Sequence, residues 1–273
     1  MIIDHKINSK DKMNISIIGF GNMAQAIAQG LSKDETNVLR ASAPSLSIGI
    51  NKMGIQTHHD NLATTADADV IILAVKPSQM AAVLVEISPT LPAHCLMISV
   101  AAGLRLSWLA ERMKPGMAIV RAMPNIAAQV GQAATPLIAN EWVTALQKQE
   151  TEQIFTSIGL STWLDQERDM ETFTALSGSG PAYVFLFMEL MIRAAIDLGL
   201  TEAVATTFTL QTFKGALSLA SLSELSLDAL RKKVTSPAGT TAVAIDVLMS
   251  QGLDKLITAA MQAAHERACT LGR

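Results

Sequence analysis

Gly19-Phe20-Gly21-Asn22-Met23-Ala24 is a G-x-G-x-x-A run between an apolar stretch, Ile15-Ser16-Ile17-Ile18, and a helical pattern over residues 23–31. In a strand–turn–helix unit the first glycine permits a tight turn, the second lets a pyrophosphate approach the backbone, and Ala24 keeps helix and strand close. Phosphates there meet free N–H groups and the positive end of the helix dipole. The run points to dinucleotide binding. About 20 residues on, a site selective for NAD carries Asp or Glu for the ribose 2′-hydroxyl. Here the chain reads Val38-Leu39-Arg40-Ala41-Ser42-Ala43-Pro44-Ser45, with no acid. A 2′-phosphate is tolerated there, with Ser42, Ser45 or Arg40 as its contacts, so NADPH is the expected cofactor and NADH stays open.

A second candidate lies near the other end. Ser236-Pro237-Ala238-Gly239-Thr240-Thr241 precedes a helical pattern, so its backbone N–H groups can cradle a carboxylate. Ser236 or Thr240 could equally be a plain helix cap. The five histidines, His5, His58, His59, His94 and His265, fall in none of these segments and read as surface or loop residues. Cys95 and Cys269 have no metal or redox spacing, so neither a disulfide framework nor a metal site is expected.

The elements that must hold these segments change character along the chain. In the first half, strand patterns over residues 38–41, 69–75, 96–100 and 117–120 alternate with helical ones over 80–87 and 107–112. The run Val70-Ile71-Ile72-Leu73 is the kind that a parallel sheet buries on both faces. Strands alternating with helices imply βαβ units and an α/β, Rossmann-type doubly wound sheet. After residue 165 the pattern is helical, over 181–198, 202–220, 226–234, 241–249 and 253–271, with Gly199 and Gly252 as stops and Pro181 as a first helical residue. Ser177-Gly178-Ser179-Gly180 reads as a tight turn before a helix apolar on all sides, which should be buried centrally or between subunits. The division expected is a frayed extension over 1–13, a dinucleotide-binding domain over 14–165 and an all-helical substrate and dimerisation domain over 166–273.

The 273 residues are 49% apolar and 16% charged, which excludes disorder as the main state. A net charge of −3 with no basic cluster gives no electrostatic reason to expect nucleic acid or an anionic membrane. Mean hydropathy is positive, +0.32. Still, the strongest apolar run, residues 181–190, carries Glu189 and falls short of the 18 or so residues of a spanning helix. The polar N-terminus is unlike a signal peptide, and a cytoplasmic location is expected.

Four further segments bear on identity: Ala74-Val75-Lys76-Pro77, Arg121-Ala122-Met123-Pro124-Asn125, Ala175-Leu176-Ser177-Gly178-Ser179-Gly180-Pro181-Ala182-Tyr183 and Val234-Thr235-Ser236-Pro237-Ala238-Gly239-Thr240-Thr241. In this order, behind the glycine loop, they resemble the pyrroline-5-carboxylate reductases from residue 14 onward. The resemblance implies reduction of L-1-pyrroline-5-carboxylate to L-proline by hydride from NAD(P)H, the last step of proline biosynthesis, in a homodimer or larger ring built on the helical domain. It implies cofactor contacts at Gly19, Phe20, Gly21, Asn22, Met23, Ser42, Ala43, Asn61, Ala74, Val75, Lys76, Pro77, Ala101, Ala102 and Gly103. It also implies a substrate site at Glu167, Ser236, Ala238, Gly239, Thr240 and Thr241.

A small cyclic imine acid needs its ring held over the nicotinamide, its carboxylate fixed and a hydrogen-bonding group at its nitrogen. Thr241 is the expected catalytic contact. Glu167 lies on the polar stretch Asp165 to Glu171 and reads almost equally as a solvated charge. The family usually has glycine where this chain has Ala238, and Thr-Pro where it has Ile126-Ala127. These departures keep two alternatives open: a reductase of a related cyclic imine acid, and a catalytically silent NAD(P)-binding regulatory protein.

Overall fold

The structure is a computed structural model that describes residues 12–271. The expected frayed extension therefore lies outside the described residues except for Lys12 and Met13, which precede the first strand without regular structure. Nine strands, β1 (Asn14–Ile18), β2 (Val38–Ser42), β3 (Gly49–Ile50), β4 (Gln56–His58), β5 (Val70–Leu73), β6 (Leu96–Ser99), β7 (Ala118–Ala122), β8 (Ala133–Ala139) and β9 (Gly159–Trp163), form one sheet. Their order is β3-β4-β2-β1-β5-β6-β7-β8-β9. From β4 through β2, β1, β5 and β6 to β7 the strands are parallel. β3 opposes β4, β8 opposes β7, and β9 continues beside β8.

The chain leaves β1 toward β2 on one side and returns to β5 on the other. The switch of strand order thus falls between β1 and β5, where open parallel sheets place their ligands, beyond the carboxyl ends of the strands. Alternate residues of β5 face opposite layers. Val70 and Ile72 pack with Ile15 and Ile17 of β1 and with Ile27 of α1 (Asn22–Leu31). Ile71 and Leu73 pack with Met80 and Leu84 of α3 (Pro77–Ile87) and Leu109 of α4 (Leu106–Ala110); α2 (Asn61–Thr65) and α5 (Ala145–Thr156) are the other helices of this half. All four β5 side chains are 0% exposed, each contributing roughly 1.5–3 kcal/mol of apolar burial. Cys95 belongs to the second layer, and its burial, with Asp69 nearby, pushes the thiol up to about 12. It is a packing residue.

The helical part contains α6 (Asp169–Phe173), α7 (Gly180–Asp197), α8 (Glu202–Leu222), α9 (Leu227–Lys233), α10 (Thr240–Ser250) and α11 (Leu253–Leu271). Contacts group the chain up to Ser179, together with Ala264 onward, into one compact unit and Gly180–Ala263 into a second. Within the second, α7 packs on α8, with Phe187 and Phe213 edge to face at 6.1 Å between ring centroids.

Two expectations change here. The Ser177–Gly180 segment is more helical than expected: only Ser179 is bent before α7 begins at Gly180. A π-helical turn, Thr174–Gly178, joins α6 to α7, closed by Ser179 N–H donating to Thr174 O at 2.9 Å. The resulting stretch, Asp169–Asp197, is long and apolar enough to cross a membrane by length and composition, whereas the sequence pattern breaks it at the small residues. Nor does this chain bury α7: none of its residues is buried, and Phe185 is 62% exposed.

Candidate active site

The glycine loop sits at the switch point. Gly19 has φ +85° and its N–H donates to Ser42 O at 2.8 Å; a Cβ there would stand 2.8 Å from Ala74 O and 2.9 Å from Val75 Cγ1. The turn after β1 and the Ala74–Pro77 turn after β5 therefore touch at backbone distance, which only glycine allows. Gly21 ends the loop as N-cap of α1, and a Cβ there would meet no atom within 4 Å. Gln25, which sequence reasoning passed over, braces the loop by donating through Nε2 to Phe20 O at 3.0 Å. Asn22 is exposed, while Phe20 is buried and Met23 half-buried against the core.

Along the same edge, Ser42 is 0% exposed and donates to Asn61 Oδ1 at 2.6 Å; Asn61 in turn donates to Glu86 Oε2 at 2.8 Å. The Ser42 hydroxyl is thus committed to holding Asn61 and is not the free 2′-phosphate contact expected of it. Arg40 is corrected as well: it lies in mid-strand, opposite Ser16, and its guanidinium reaches Asp67 at 3.9 Å, toward the amino end of β5. Ala43 is buried and Ser45 exposed, so Ser45 is the expected contact that stays open to a ligand. Lys76 is exposed at the start of α3 with Pro77 behind it, and makes no ion pair among the described residues. After β6, Ala101 is buried, Ala102 half-buried, and Gly103 takes φ +79° with its α-carbon face against Leu271 O of α11.

Glu167 is neither solvated nor free. Its Oε1 accepts from Leu106 N at 2.7 Å and from Arg121 at 3.1 Å, and Arg121, only 3% exposed, also lies 3.8 Å from Glu171. One buried guanidinium between two carboxylates satisfies charges that would be costly alone. The solvated-charge reading fails because the partner, 46 residues away on β7, is invisible in the local sequence.

In the helical unit, Ser236–Thr241 forms a turn into α10. Gly239 N–H donates to Ser236 O at 3.1 Å, and a Cβ on Gly239 would collide with Ser236 Oγ. Gly239 is the N-cap, and no side chain caps the helix. The alternative of Ser236 or Thr240 as a plain cap is therefore not realised, and the first-turn N–H groups stay open to an anion. Ser236, Thr240 and Thr241 are exposed, and the Thr241 hydroxyl bonds to none of the described residues. Ala238 is the non-glycine residue with positive φ, +59°, among the described residues. Ala238→Gly is expected to raise stability by about 1 kcal/mol, roughly 2–4 °C in Tm, checked by thermal melts of both chains.

These elements fit a dinucleotide. The helix N-terminus behind Gly21 is uncapped, the space before it is open, and no carboxylate follows β2. Among the histidines, His94 lies 3.3 Å from Asp69, at the amino end of β5 and away from this edge; His5 is outside the described residues. No group of three or more metal-binding side chains occurs among the described residues.

Comparison with known proteins gives one consistent answer. A family model described as pyrroline-5-carboxylate reductase dimerisation matches residues 167–271, and one described as NADP oxidoreductase coenzyme F420-dependent matches 14–103. The pyrroline-5-carboxylate reductase of Pseudomonas aeruginosa is 38% identical over 94% of this chain and 96% of its own. A solved pyrroline-5-carboxylate reductase from Coxiella burnetii superposes with TM-score 0.89 at 40% identity, over 96% of this chain and 99% of that one. The Plasmodium falciparum pyrroline carboxylate reductase, solved with NADP bound, gives 0.88 at 30%, over 97% and 100%. The dimerisation model covers the exposed apolar helix α7 and supports a homo-oligomer. With the two-part fold, the glycine loop at the switch point and the open turn before α10 on one chain, the protein belongs to the pyrroline-5-carboxylate reductase family.

Proposed function

We propose that this chain reduces the C=N bond of L-1-pyrroline-5-carboxylate to give L-proline, with Thr241 as the hydrogen-bonding partner of the ring nitrogen. The observation that carries the reading is the uncapped, exposed start of α10, with the Thr241 hydroxyl bonded to none of the described residues. The N–H groups that follow Ser236-Pro237-Ala238-Gly239 hold the substrate carboxylate, and Thr240 and Thr241 are the hydroxyls beside it. The nitrogen is protonated for reduction, because the iminium is the better electrophile; Thr241 orients it and stabilises the amine that results. NADPH, when bound, supplies the hydride. Gly19 to Met23 would hold its pyrophosphate, Ser45 and Asn61 its adenosine end, and Ala74 to Pro77 with Ala101 to Gly103 its nicotinamide end. Ser42 and Ala43 act from behind, as buried supports. Glu167 acts on the substrate side only through Arg121 and the start of α4.

The active protein is a homodimer or larger homo-oligomer built on the helical unit and working in the cytoplasm. The test is NADPH oxidation with a panel of cyclic imine acids, together with rescue of a proline-requiring host. Turnover restricted to a six-membered or sulfur-containing ring would move the substrate, and NADPH binding without turnover of any imine would sink the enzymatic reading.

A further inference from the structure

Pro181 is the second residue of α7, just past the bend at Ser179, within the helical stretch Asp169–Asp197. It has no N–H to give to the carbonyl four residues back, Ser177, and a proline ring inside an α-helix crowds that oxygen. The helix answers with the π turn over Thr174–Gly178. A side chain from the loop after β7 completes it: Asn125 Nδ2 donates to Ser177 O at 2.9 Å. Asn125 is itself fixed, being 8% exposed with Oδ1 accepting from Ala127 N at 3.2 Å, which caps a 3-10 helix over Ile126–Val130. The same two segments run close together, since an added Cβ on Gly178 would stand 3.7 Å from Met123 Cε. π turns are rare and recur at functional positions.

We propose that Asn125 is a positioning residue for the reductase reaction: with Pro181 it holds the π turn that sets which of Ser177, Gly178 and Ser179 faces the carboxyl edge of the sheet beside β7. An α-helix advances about 100° per residue, so the one residue inserted by a π turn decides that facing. Ser177 Oγ is committed to Phe173 O at 3.0 Å, which leaves Ser179 as the hydroxyl of this segment without a bond among the described residues. The inference rests on the chain being a pyrroline-5-carboxylate reductase.

Asn125→Ala, Pro181→Ala and the double variant are to be compared with the unaltered chain by steady-state turnover and by thermal melting. Asn125→Ala is expected to lower kcat with the imine about tenfold or more, as misplacement of a positioning contact does, while KM for NADPH stays unchanged. Pro181→Ala restores a donor for Ser177 O, so the double variant regains Tm but not kcat. Full kcat in Asn125→Ala, or kcat that returns together with Tm in the double variant, overturns the proposal, because the turn would then matter only for stability. Should Asn125→Ala not fold, Pro181→Ala carries the test alone: kept Tm with lowered kcat supports it, and full kcat overturns it. If the unaltered chain does not turn over pyrroline-5-carboxylate, the reading of its function falls; if it does and Asn125→Ala equals it, only this inference falls.

Discussion

Thr241→Val lowers kcat/KM for pyrroline-5-carboxylate by about 10²-fold with Tm unchanged, the loss expected when one group that hydrogen-bonds the reacting nitrogen is removed. Valine has threonine's shape without its hydroxyl, and both are β-branched, so the helix loses little propensity. The fold does not need the hydroxyl, since Thr241 is exposed in the first turn of α10 and bonds to none of the described residues. Other threonines of this chain behave differently: Thr207, Thr212 and Thr258 return their hydroxyls to the carbonyl four residues back. The Thr241 hydroxyl, at a helix start that no side chain caps, makes no such return bond. Thr241→Ser, which keeps the donor, should retain most of the activity. Steady-state NADPH oxidation at saturating cofactor separates the cases, and a valine variant as active as the serine one removes Thr241 from the chemistry.

How far this site could be read in advance follows from the range of each interaction. The glycine loop and β5 were legible because their signals are local: Gly19 and Gly21 have fixed spacing, and Val70-Ile71-Ile72-Leu73 is apolar at every position because both faces are covered. β8 and β9 were not. β8 reads Ala-Ala-Thr-Pro-Leu-Ile-Ala, with small residues and a proline, and β9 is an edge strand of half-exposed residues, so neither carries a buried-strand pattern. Nor was β4, three residues of Gln-Thr-His whose pairing with β2 is set by the sheet.

Glycine and serine at 177–180 signal a turn, yet the segment is helical because Asn125, 52 residues upstream, bonds the carbonyl that Pro181 cannot serve. A separation of 46 residues likewise hides Arg121 from Glu167. The strain at Ala238 was legible only through the resemblance, where a glycine stands, and the φ of +59° accounts for that preference. Ser42 shows the opposite error. Its place at the end of β2 was right for the edge, but a side chain that is wholly buried acts on a ligand only through Asn61.

The two glycines of the loop should respond to alanine in opposite ways, and the contrast separates folding from cofactor binding. At Gly19, alanine takes φ +85° and drives its methyl against the Ala74 carbonyl. Left-handed strain and backbone overlap together cost roughly 3 kcal/mol or more, because neither the turn after β1 nor the Ala74 backbone can yield without breaking the Ala74 N–H to Ile18 O bond of 2.8 Å. Gly19→Ala is therefore expected to fold poorly and melt early. At Gly21, φ is −76°, which any residue adopts, and the added methyl meets no protein atom. Gly21→Ala should melt like the unaltered chain. Its methyl instead fills the space before the α1 N–H groups where a pyrophosphate must come into contact, so KM for NADPH rises by about tenfold or more. Thermal melts of both variants and NADPH titration of the second give the result. Equal Tm losses at the two positions would mean that the space at Gly21 is needed by the chain itself, and unchanged NADPH affinity in Gly21→Ala would mean that the pyrophosphate does not bind at this helix.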